Sequence, residues 1–345
     1  MKSILPLLLL PLVCAAAPSK TVQATVAGYA GTSTLQNFPV LVRISENDVP
    51  GFHYADCAAG GADLSFRDAS GNALPFDVDT WDASGTSLVW VLLPDVAPGG
   101  ETSFKMGWSD PSPAAANAAA VWTGSGHKGV WHMNSVSPAD ASGSGNDGTA
   151  AGSVAITNGP VGSALSYPNT SSYVSCGSSL PEADLLGGYT IEGWVNLDSV
   201  SGNKALFGKS GFISYRMEGT AVKITTPKVK DYGNVTGFIT AANAWHHFSL
   251  SFVPNTSGGA KHYLDGVLKA TQDTTGINNQ TGSIEMWLGR NQWGNEQNFL
   301  GLLDEYRLST SLRSADWIAA DYAQVARDDF VEFGAAGPAS TVFFY

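Results

Sequence analysis

The feature that most constrains the fold is a series of short apolar segments, separated by glycine-containing turns, between Trp122 and Ser309. The series includes YTIEGWVNLD, AVKITTP, WHHFSLSFVP and LLDEYRLS, whose spacing of about 8–12 residues is typical of a sandwich or jelly roll. In HYLDGVLKA, the Asp265-Gly266 turn between apolar flanks predicts a β-hairpin. One helix is also predicted, with Ser314 as the N-cap of ADWIAADYA.

A similar pattern precedes this series. Leu64 and Phe66 alternate with polar residues before the turn DASGN, and SLVWVLLP is a continuous apolar strand. Charged residues make up only 14% of the chain, and its 39 glycines suit tight turns. We therefore predict an all-β protein, with an N-terminal β-sandwich followed by a C-terminal jelly roll.

The first residues have the pattern of an export signal. Lys2 provides the positive charge, residues 4–13 the apolar run, and residues 15–17 a small-residue cleavage zone. The apolar run is too short to span a bilayer. We expect a secreted, periplasmic or cell-surface protein with no membrane insertion after signal removal. The predicted division of the chain is a signal peptide at 1–17, the sandwich at 18–113, an alanine-rich linker at 114–121, the jelly roll at 122–335 and a tail at 336–345.

The charge of the chain excludes several partners. The formal net charge is −12, and loss of Lys2 with the signal makes it one unit more negative. A chain this acidic offers no broad basic surface for nucleic acid or for anionic lipid. Cys57 and Cys176 fall in different predicted domains, which favours two separate thiols over a disulfide.

Several motifs in order carry a family resemblance over residues 121–334. They are GVWHMN, DASGSGNDGT, YTIEGWVNLD, WHHFSLSF, HYLDGVLKA and FLGLLDEYRLSTSLRSADWIAADY. This region resembles the laminin-G-like jelly roll of the concanavalin A-like superfamily. Through DLSFRDASGNALPFDVDTWD and SLVWVLLPDVAPGG, the first region is similar to a bacterial domain of unknown function that often precedes such jelly rolls in exported surface proteins.

The superfamily includes enzymes that act on polysaccharides, which need two carboxylates facing one cleft. The Glu-x-Asp-x-x-Glu and Glu-x-Asp-x-Glu motifs of such members are absent. Asp304 and Glu305 are adjacent, so strand alternation should send them to opposite faces, with Glu305 beside Arg307. The same alternation separates His246 from His247. We therefore expect no catalytic residues and no enzyme activity.

Calcium is the cofactor that the resemblance implies, as a structural ion. Laminin-G-like jelly rolls often hold calcium, and the side-by-side placement of their first and last strands would bring Asn134, Asp140 and Asp304 together, with Asp147 from the same glycine-rich loop. Carboxylate and amide oxygens are suitable calcium ligands. The alternative is a glycine-rich turn with capping Asp side chains.

For carbohydrate binding, the polar loop RNQWGNEQN places Trp293 between Gln292 and Asn295. Sugars stack on exposed aromatic rings, so Trp293 is the first candidate platform and Tyr232, in KDYGN, the second. The alternative is a tryptophan folded over the sheet edge. Asp77 and Asp79 share a strand face, which we expect to be solvent-exposed.

The function predicted from the sequence is non-catalytic recognition of glycans or of a surface protein by an exported protein. One alternative is a purely structural or adhesive surface component without a small ligand. Another is a polysaccharide-active enzyme.

Overall fold

The computed structural model describes residues 20–178, 180, 182–226, 230–276, 285–291, 293 and 297–334. Over these residues the chain is mostly antiparallel β-structure with two α-helices, which confirms the predicted all-β class. None of the helices in these ranges is long and apolar enough to cross a bilayer. The predicted signal peptide and tail lie outside the described residues.

The strands in chain order are β1 (Lys20–Thr25), β2 (Leu35–Ile44), β3 (Ser65–Arg67), β4 (Phe76–Thr80), β5 (Ser87–Val96), β6 (Ser103–Trp108), β7 (His127–Trp131), β8 (Thr149–Ala151), β9 (Ala155–Asn158), β10 (Ser163–Tyr167), β11 (Tyr173–Ser175), β12 (Tyr189–Leu197), β13 (Asn203–Lys209), β14 (Ile213–Glu218), β15 (Ala221–Thr226), β16 (Lys230–Asp231), β17 (Trp245–Phe252), β18 (Ala260–Leu264), β19 (Val267–Gln272), β20 (Met286–Leu288), β21 (Gly301–Ser309) and β22 (Glu332–Phe333). The helices are α1 (Ala118–Gly124) and α2 (Ala315–Ala326). Short 3₁₀ turns occupy Tyr54–Asp56, Ala59–Gly61, Glu182–Leu185 and Asp328–Phe330.

The N-terminal sandwich consists of a sheet of order β22-β1-β6-β3 and a sheet of order β2-β5-β4. Side chains of both sheets form one core. On β5, Val89 and Val91 point into this core, while Leu88 and Trp90 join a second cluster on the opposite face. Because β5 is covered on both faces, its sequence is continuously apolar.

The C-terminal jelly roll also has two sheets. One has the order β19-β18-β17-β12-β21-β10-β9, with β7 paired to β21, and the other has the order β16-β15-β14-β13-β20-β11-β8. The predicted hairpin is confirmed, since Asp265 and Gly266 join β18 to β19 with φ of 50° and 75°. Cys176 lies in this core and Cys57 beside the sandwich core, so the two thiols are separate, as predicted.

The chain returns to the N-terminal sandwich after β21. Ser314 caps α2, as predicted, by accepting a hydrogen bond from the Trp317 amide. Trp317 and Phe330 then lie in the sandwich core, and β22 pairs with β1. The side chain of Gln324 on α2 accepts a hydrogen bond from the amide of Leu41 on β2 at 2.9 Å. The segment after residue 314 therefore packs with the sandwich, although it follows the jelly roll in sequence.

The two units meet face to face. The outer side of β5 packs against the outer side of the sheet that contains β12 and β21, through Trp90, Trp122 on α1, and Trp194. Helix α1 includes the last residues of the predicted linker and begins after Asn117, whose side chain accepts from the amide of Ala120. The interface formed in this way also contains buried charged residues.

Candidate functional site

Trp293 is exposed on the jelly-roll surface. The residue retains 43% of its accessible area, and its amide donates a hydrogen bond to the side chain of Asn291 at 3.0 Å. The guanidinium carbon of Arg216, on β14, lies 5.2 Å from the centre of the Trp293 ring. A cation at this distance attracts the ring face and fixes its orientation. The exposure predicted from the polar loop is observed.

The surface beside Trp293 is polar and well ordered by side-chain contacts. Arg216 donates to Glu218 at 2.7 Å and to Thr225 at 2.6 Å. Asp231 is held by Lys223 at 2.6 Å and accepts from the Thr225 hydroxyl at 2.6 Å. These residues project from neighbouring strands β14, β15 and β16. Arg216 and Thr225 are themselves buried, whereas the side chain of Asp231 is 57% exposed, so the arrangement leaves a carboxylate accessible on the face that carries Trp293.

The second predicted platform is not available to a ligand. Tyr232 is 2% exposed and packs in the jelly-roll core near Phe252. Its position corrects the prediction, because a buried ring offers no face on which a sugar can stack. Gln292 and Asn295, the predicted neighbours of Trp293 in this site, lie outside the described residues.

The predicted calcium ligands have other roles or positions. Asp140 accepts hydrogen bonds from the backbone amides of Val130, Ser142 and Asn146 and from two side chains, so it organises the glycine-rich turn. Asp147 is exposed and accepts from the amide of Asp140, and Asn134 is also exposed. Among the described His, Cys, Asp and Glu residues, two groups of three converge, and neither includes Asp140, Asp147 or Asp304. Calcium binding stays a prediction.

The pair Asp304 and Glu305 does not follow strand alternation. On β12, Glu192 pairs with Arg307 and Trp194 pairs with Asp304. Gly193, the one residue between them, therefore lies opposite two residues of β21, Glu305 and Tyr306. Glu305 takes a left-handed φ of 47°, which is characteristic of a β-bulge. Asp304 and Glu305 are 0% and 2% exposed, and both face the interface between the two units. The predicted separation onto opposite faces is therefore wrong.

Gly193 is required at this bulge. A Cβ atom there would lie 2.5 Å from the ring of Tyr306, which covers the backbone of β12. Tyr306 and Leu303 point into the jelly-roll core, whereas Asp304 accepts hydrogen bonds from the backbone amides of Val161 and Glu305. The bulge thus presents two carboxylates to one side while β21 keeps its apolar side chains in the core.

His132 connects these carboxylates to the N-terminal sandwich. Its Nδ1 lies 2.6 Å from Glu305 Oε1, and its Nε2 lies 3.1 Å from Asp77 Oδ2. The indole of Trp122 also donates to Asp77 at 2.7 Å. Burial opposes the charged imidazole, but Glu305 and Asp79 raise the pKa of His132 well above its ordinary value. The face with Asp77 and Asp79 is buried, so its predicted solvent exposure is wrong.

Arg307 joins the network on its other side. It donates to Glu305 Oε2 at 2.6 Å, as the sequence predicts, and to Asp321 on α2 at 2.8 Å. Its guanidinium also lies 4.2 Å from the centre of the Trp90 ring. Burial opposes the charge of Asp321, but Arg307 and His247 lower the pKa of that carboxyl. Arg307 therefore links acidic side chains of β21 and α2 and packs against the ring of Trp90 on β5 of the sandwich.

A second part of the network surrounds Glu192. Its Oε1 lies 3.8 Å from Nε2 of His127, and His247 lies 3.4 Å from Asp321. Burial raises the pKa of Glu192 to about 7, and Asp321 adds to the rise. His247 is buried and His246 half-buried, so the prediction that alternation separates these histidines is confirmed.

Replacing Glu192 by glutamine is expected to flatten the pH dependence of the melting temperature between pH 6 and 8. With a folded-state pKa raised from 4.5 to about 7, the contribution of this carboxyl to stability is present below about pH 4.5 and is lost as the pH rises through 7. Melting curves of both proteins across this range measure the difference. The exposed Glu101→Gln variant should retain the wild-type slope; equal slopes in all three proteins would contradict the assignment.

This network is hard to predict from the sequence because its members are far apart in the chain. The available signal was the presence of Glu192, Glu305 and Arg307 in otherwise apolar strands and of Asp321 on the apolar side of α2. Charged residues are rarely buried unless they are paired. None of the side chains named in the network is more than slightly exposed, so a polymeric substrate could not reach them.

The comparisons with known proteins agree with the fold of the second unit. Residues 168–319 match the family model described as the concanavalin A-like lectin/glucanases superfamily, in its laminin-G type. The C-terminal part of the chain is therefore a concanavalin A-like, laminin-G-like domain, as the sequence motifs predict. The match begins after β10 and includes none of residues 20–167, so the resemblance of the first region to a bacterial domain of unknown function stays a prediction.

Solved structures give weaker similarities. Domain 4 of the extracellular arabinanase AbnA from Geobacillus stearothermophilus is 20% identical, with 57% of this chain and 98% of that chain covered and a TM-score of 0.46. The binding domain of Paraclostridial Mosquitocidal Protein 1 is 14% identical, with coverage of 57% and 52% and a TM-score of 0.46. The botulinum neurotoxin serotype D binding domain is 12% identical, with coverage of 57% and 51% and a TM-score of 0.44. No curated protein sequence matches the chain.

Proposed function

We propose that the protein is an exported, non-catalytic recognition protein whose jelly roll binds a glycan at the surface formed by Trp293 and Arg216. The observation that carries the proposal is the exposed Trp293 ring beside a fixed set of charged and hydroxyl side chains. Arg216 lies over the ring, and the exposed area of Trp293 leaves room for a sugar to stack. Aromatic residues that combine an apolar face with a polar edge are common anchors in binding sites.

The polar residues beside the ring suit hydrogen bonding to sugar hydroxyl groups. Glu218 and Asp231 accept from Arg216, Thr225 and Lys223, and Asp231 lies on β16, the edge strand of its sheet. Burial works to raise the pKa of Asp231, but the hydrogen bonds from Lys223 and Thr225 lower it. A general acid in glycoside hydrolysis needs a raised pKa, so Asp231 fits ligand binding better than catalysis.

The cellular location belongs to the same proposal. The apolar run with Lys2 and the small residues before Pro18 supports export, and the acidic composition argues against nucleic acid and anionic lipid as partners. A glycan or a glycosylated surface protein is then the partner class that an exported laminin-G-like domain would meet. We place the function outside the cytoplasm, in the periplasm, at the cell surface or in the medium.

The test is binding to a broad glycan array, followed by calorimetry with the best ligand. Trp293→Ala is expected to weaken binding about 30-fold, because truncation of an aromatic anchor commonly removes about 2 kcal/mol. The matched control is Leu268→Ala, which truncates an apolar residue of similar exposure on β19. An array without any bound glycan, or a Trp293→Ala variant with wild-type affinity, would refute the proposal.

A further inference from the structure

Three side chains from the two units converge in the buried interface. Oxygen atoms of Asp79 and Glu305 and a ring nitrogen of His132 all lie within 4.8 Å of one another. His132 Nδ1 is 2.6 Å from Glu305 Oε1 and 3.8 Å from Asp79 Oδ2. Asp79 comes from β4 of the sandwich, Glu305 from β21 of the jelly roll, and His132 follows β7. The three donors therefore meet only when the two units are docked.

One oxygen of the Asp79 carboxylate, Oδ2, is directed into this convergence, while Oδ1 accepts a hydrogen bond from the Thr80 hydroxyl at 3.4 Å. The side chain is 1% exposed, and no protein donor of the described residues reaches Oδ2 in good hydrogen-bonding geometry. The indole nitrogen of the neighbouring Trp90 is directed toward Asp79 but lies outside good hydrogen-bonding geometry. A buried carboxylate oxygen without a partner is costly unless a proton or a cation satisfies it.

The orientation of His132 fits metal coordination. Its Nε2 faces Asp77 at 3.1 Å, and Asp77 is itself fixed by the indole of Trp122. Histidines that bind metals almost always donate their other ring N–H to a carboxylate or carbonyl, which fixes the ring and its tautomer. Here that arrangement leaves Nδ1 pointing at Glu305 and Asp79.

Glu305 is oriented in the same manner. Arg307 binds Oε2 at 2.6 Å, and Oε1 remains directed at the other two donors. Arg307 also binds Asp321, so its charge is shared between two carboxylates. Asp77, Asp79, Asp304 and Glu305 thus bring four carboxyl groups into a buried region whose cations are His132 and the shared Arg307.

We propose that Asp79, His132 and Glu305 form a binding site for a divalent transition-metal ion of the zinc type, which joins the sandwich to the jelly roll. One imidazole nitrogen and two carboxylate oxygens are a donor set for zinc and similar ions, whereas calcium takes six to eight oxygen ligands. The ion replaces the proton on His132 Nδ1, and that proton is released to solvent on binding. The site needs no residue of the Trp293 surface and is independent of glycan binding.

The second convergent group, formed by Glu192, His247 and Asp321, provides the contrast. Arg307 donates directly to Asp321, and the charges of Arg307 and Arg313 both act on Glu192. Two arginines beside three donors disfavour a further cation. Zinc is therefore expected at the first group and not at the second.

The experiment uses the untagged full chain, treated with a chelator and then dialysed against zinc. Metal analysis should give one tightly held zinc per chain, and zinc should raise the melting temperature, because a ligand of the native state stabilises it. Asp79→Asn and His132→Gln should each lose the zinc and the rise in melting temperature. His247→Gln, which alters a buried histidine of the second group, should retain both.

Asp79→Asn keeps the shape of the side chain, so it carries the test if His132→Gln fails to fold, with circular dichroism as the check. Zinc retained by both Asp79→Asn and His132→Gln would overturn the proposal, as would wild-type protein that holds no zinc after dialysis. Loss of zinc in His247→Gln alone would place the ion at the second group and also overturn it. A calcium-specific rise in melting temperature that Asp79→Asn removes would show that the class of ion is wrong.

Discussion

Replacing Arg307 by methionine is expected to lower the free energy of unfolding by about 3–5 kcal/mol, because it leaves buried carboxylates without their cation. Arg307 is 2% exposed and binds Glu305 at 2.6 Å and Asp321 at 2.8 Å. Methionine retains most of the apolar contact with Trp90 but supplies no hydrogen bond. The denaturation midpoint in urea measures the loss of unfolding free energy. We also expect the N-terminal sandwich and the jelly roll to separate from each other in this variant.

The control for this substitution is Arg327→Met. Arg327 forms a two-point ion pair with Asp329, at 2.8 and 3.0 Å, but the pair is exposed. Exposed ion pairs contribute little because water and salt screen them. Equal, small shifts of the urea denaturation midpoint in Arg307→Met and Arg327→Met would show that the buried network does not hold the two units together.

The class of fold was predictable because the relevant signals are local. The Asp265-Gly266 turn and the Ser314 cap each depend on a few neighbouring residues, and the structure contains both as predicted. The apolar continuity of β5 also has a local signature, although its cause is not local. Both faces of β5 are covered, one by the sandwich core and one by the jelly roll.

The return of the chain to the sandwich could not be predicted in the same way. Trp317 and Ile318 form an apolar helix face that would suit any neighbouring surface. Their actual partners include Phe38, which is separated from them by the whole jelly roll. Nothing in a helix sequence specifies which distant sheet it covers, so the division of the chain at residue 335 missed this packing.

The bulge at Glu305 shows why the paired carboxylates were misjudged. Alternation predicts opposite faces for adjacent residues only while the strand keeps its register. One left-handed residue opposite Gly193 breaks the register and turns both carboxylates to the same side. The exposed Trp293 was predicted from its polar loop, whereas Tyr232, in an equally polar segment, packs into the core. Local polarity therefore indicates a surface position without ensuring it.

Replacing Trp317 by alanine is expected to destabilise the N-terminal sandwich by about 3–5 kcal/mol, the usual cost of truncating a buried large aromatic residue. Trp317 is 5% exposed, meets the ring of Phe38 edge-on at 4.7 Å, and lies 3.9 Å from the guanidinium of Arg313. Hydrogen exchange followed by mass spectrometry should show loss of protection in β1 and β2, far from the substitution in sequence.

Trp293→Ala is the matched control for this second substitution, because it removes the same side chain from an exposed position. It should leave the exchange of the sandwich unchanged. If Trp317→Ala increased exchange only in α2 while β1 and β2 kept their protection, the sandwich would be stable without the packing of this helix, and the prediction would be wrong. Loss of protection in both sheets of the sandwich would instead show that its core requires a segment from the far side of the jelly roll. In that case the N-terminal unit cannot complete its fold until the chain beyond β21 has been made.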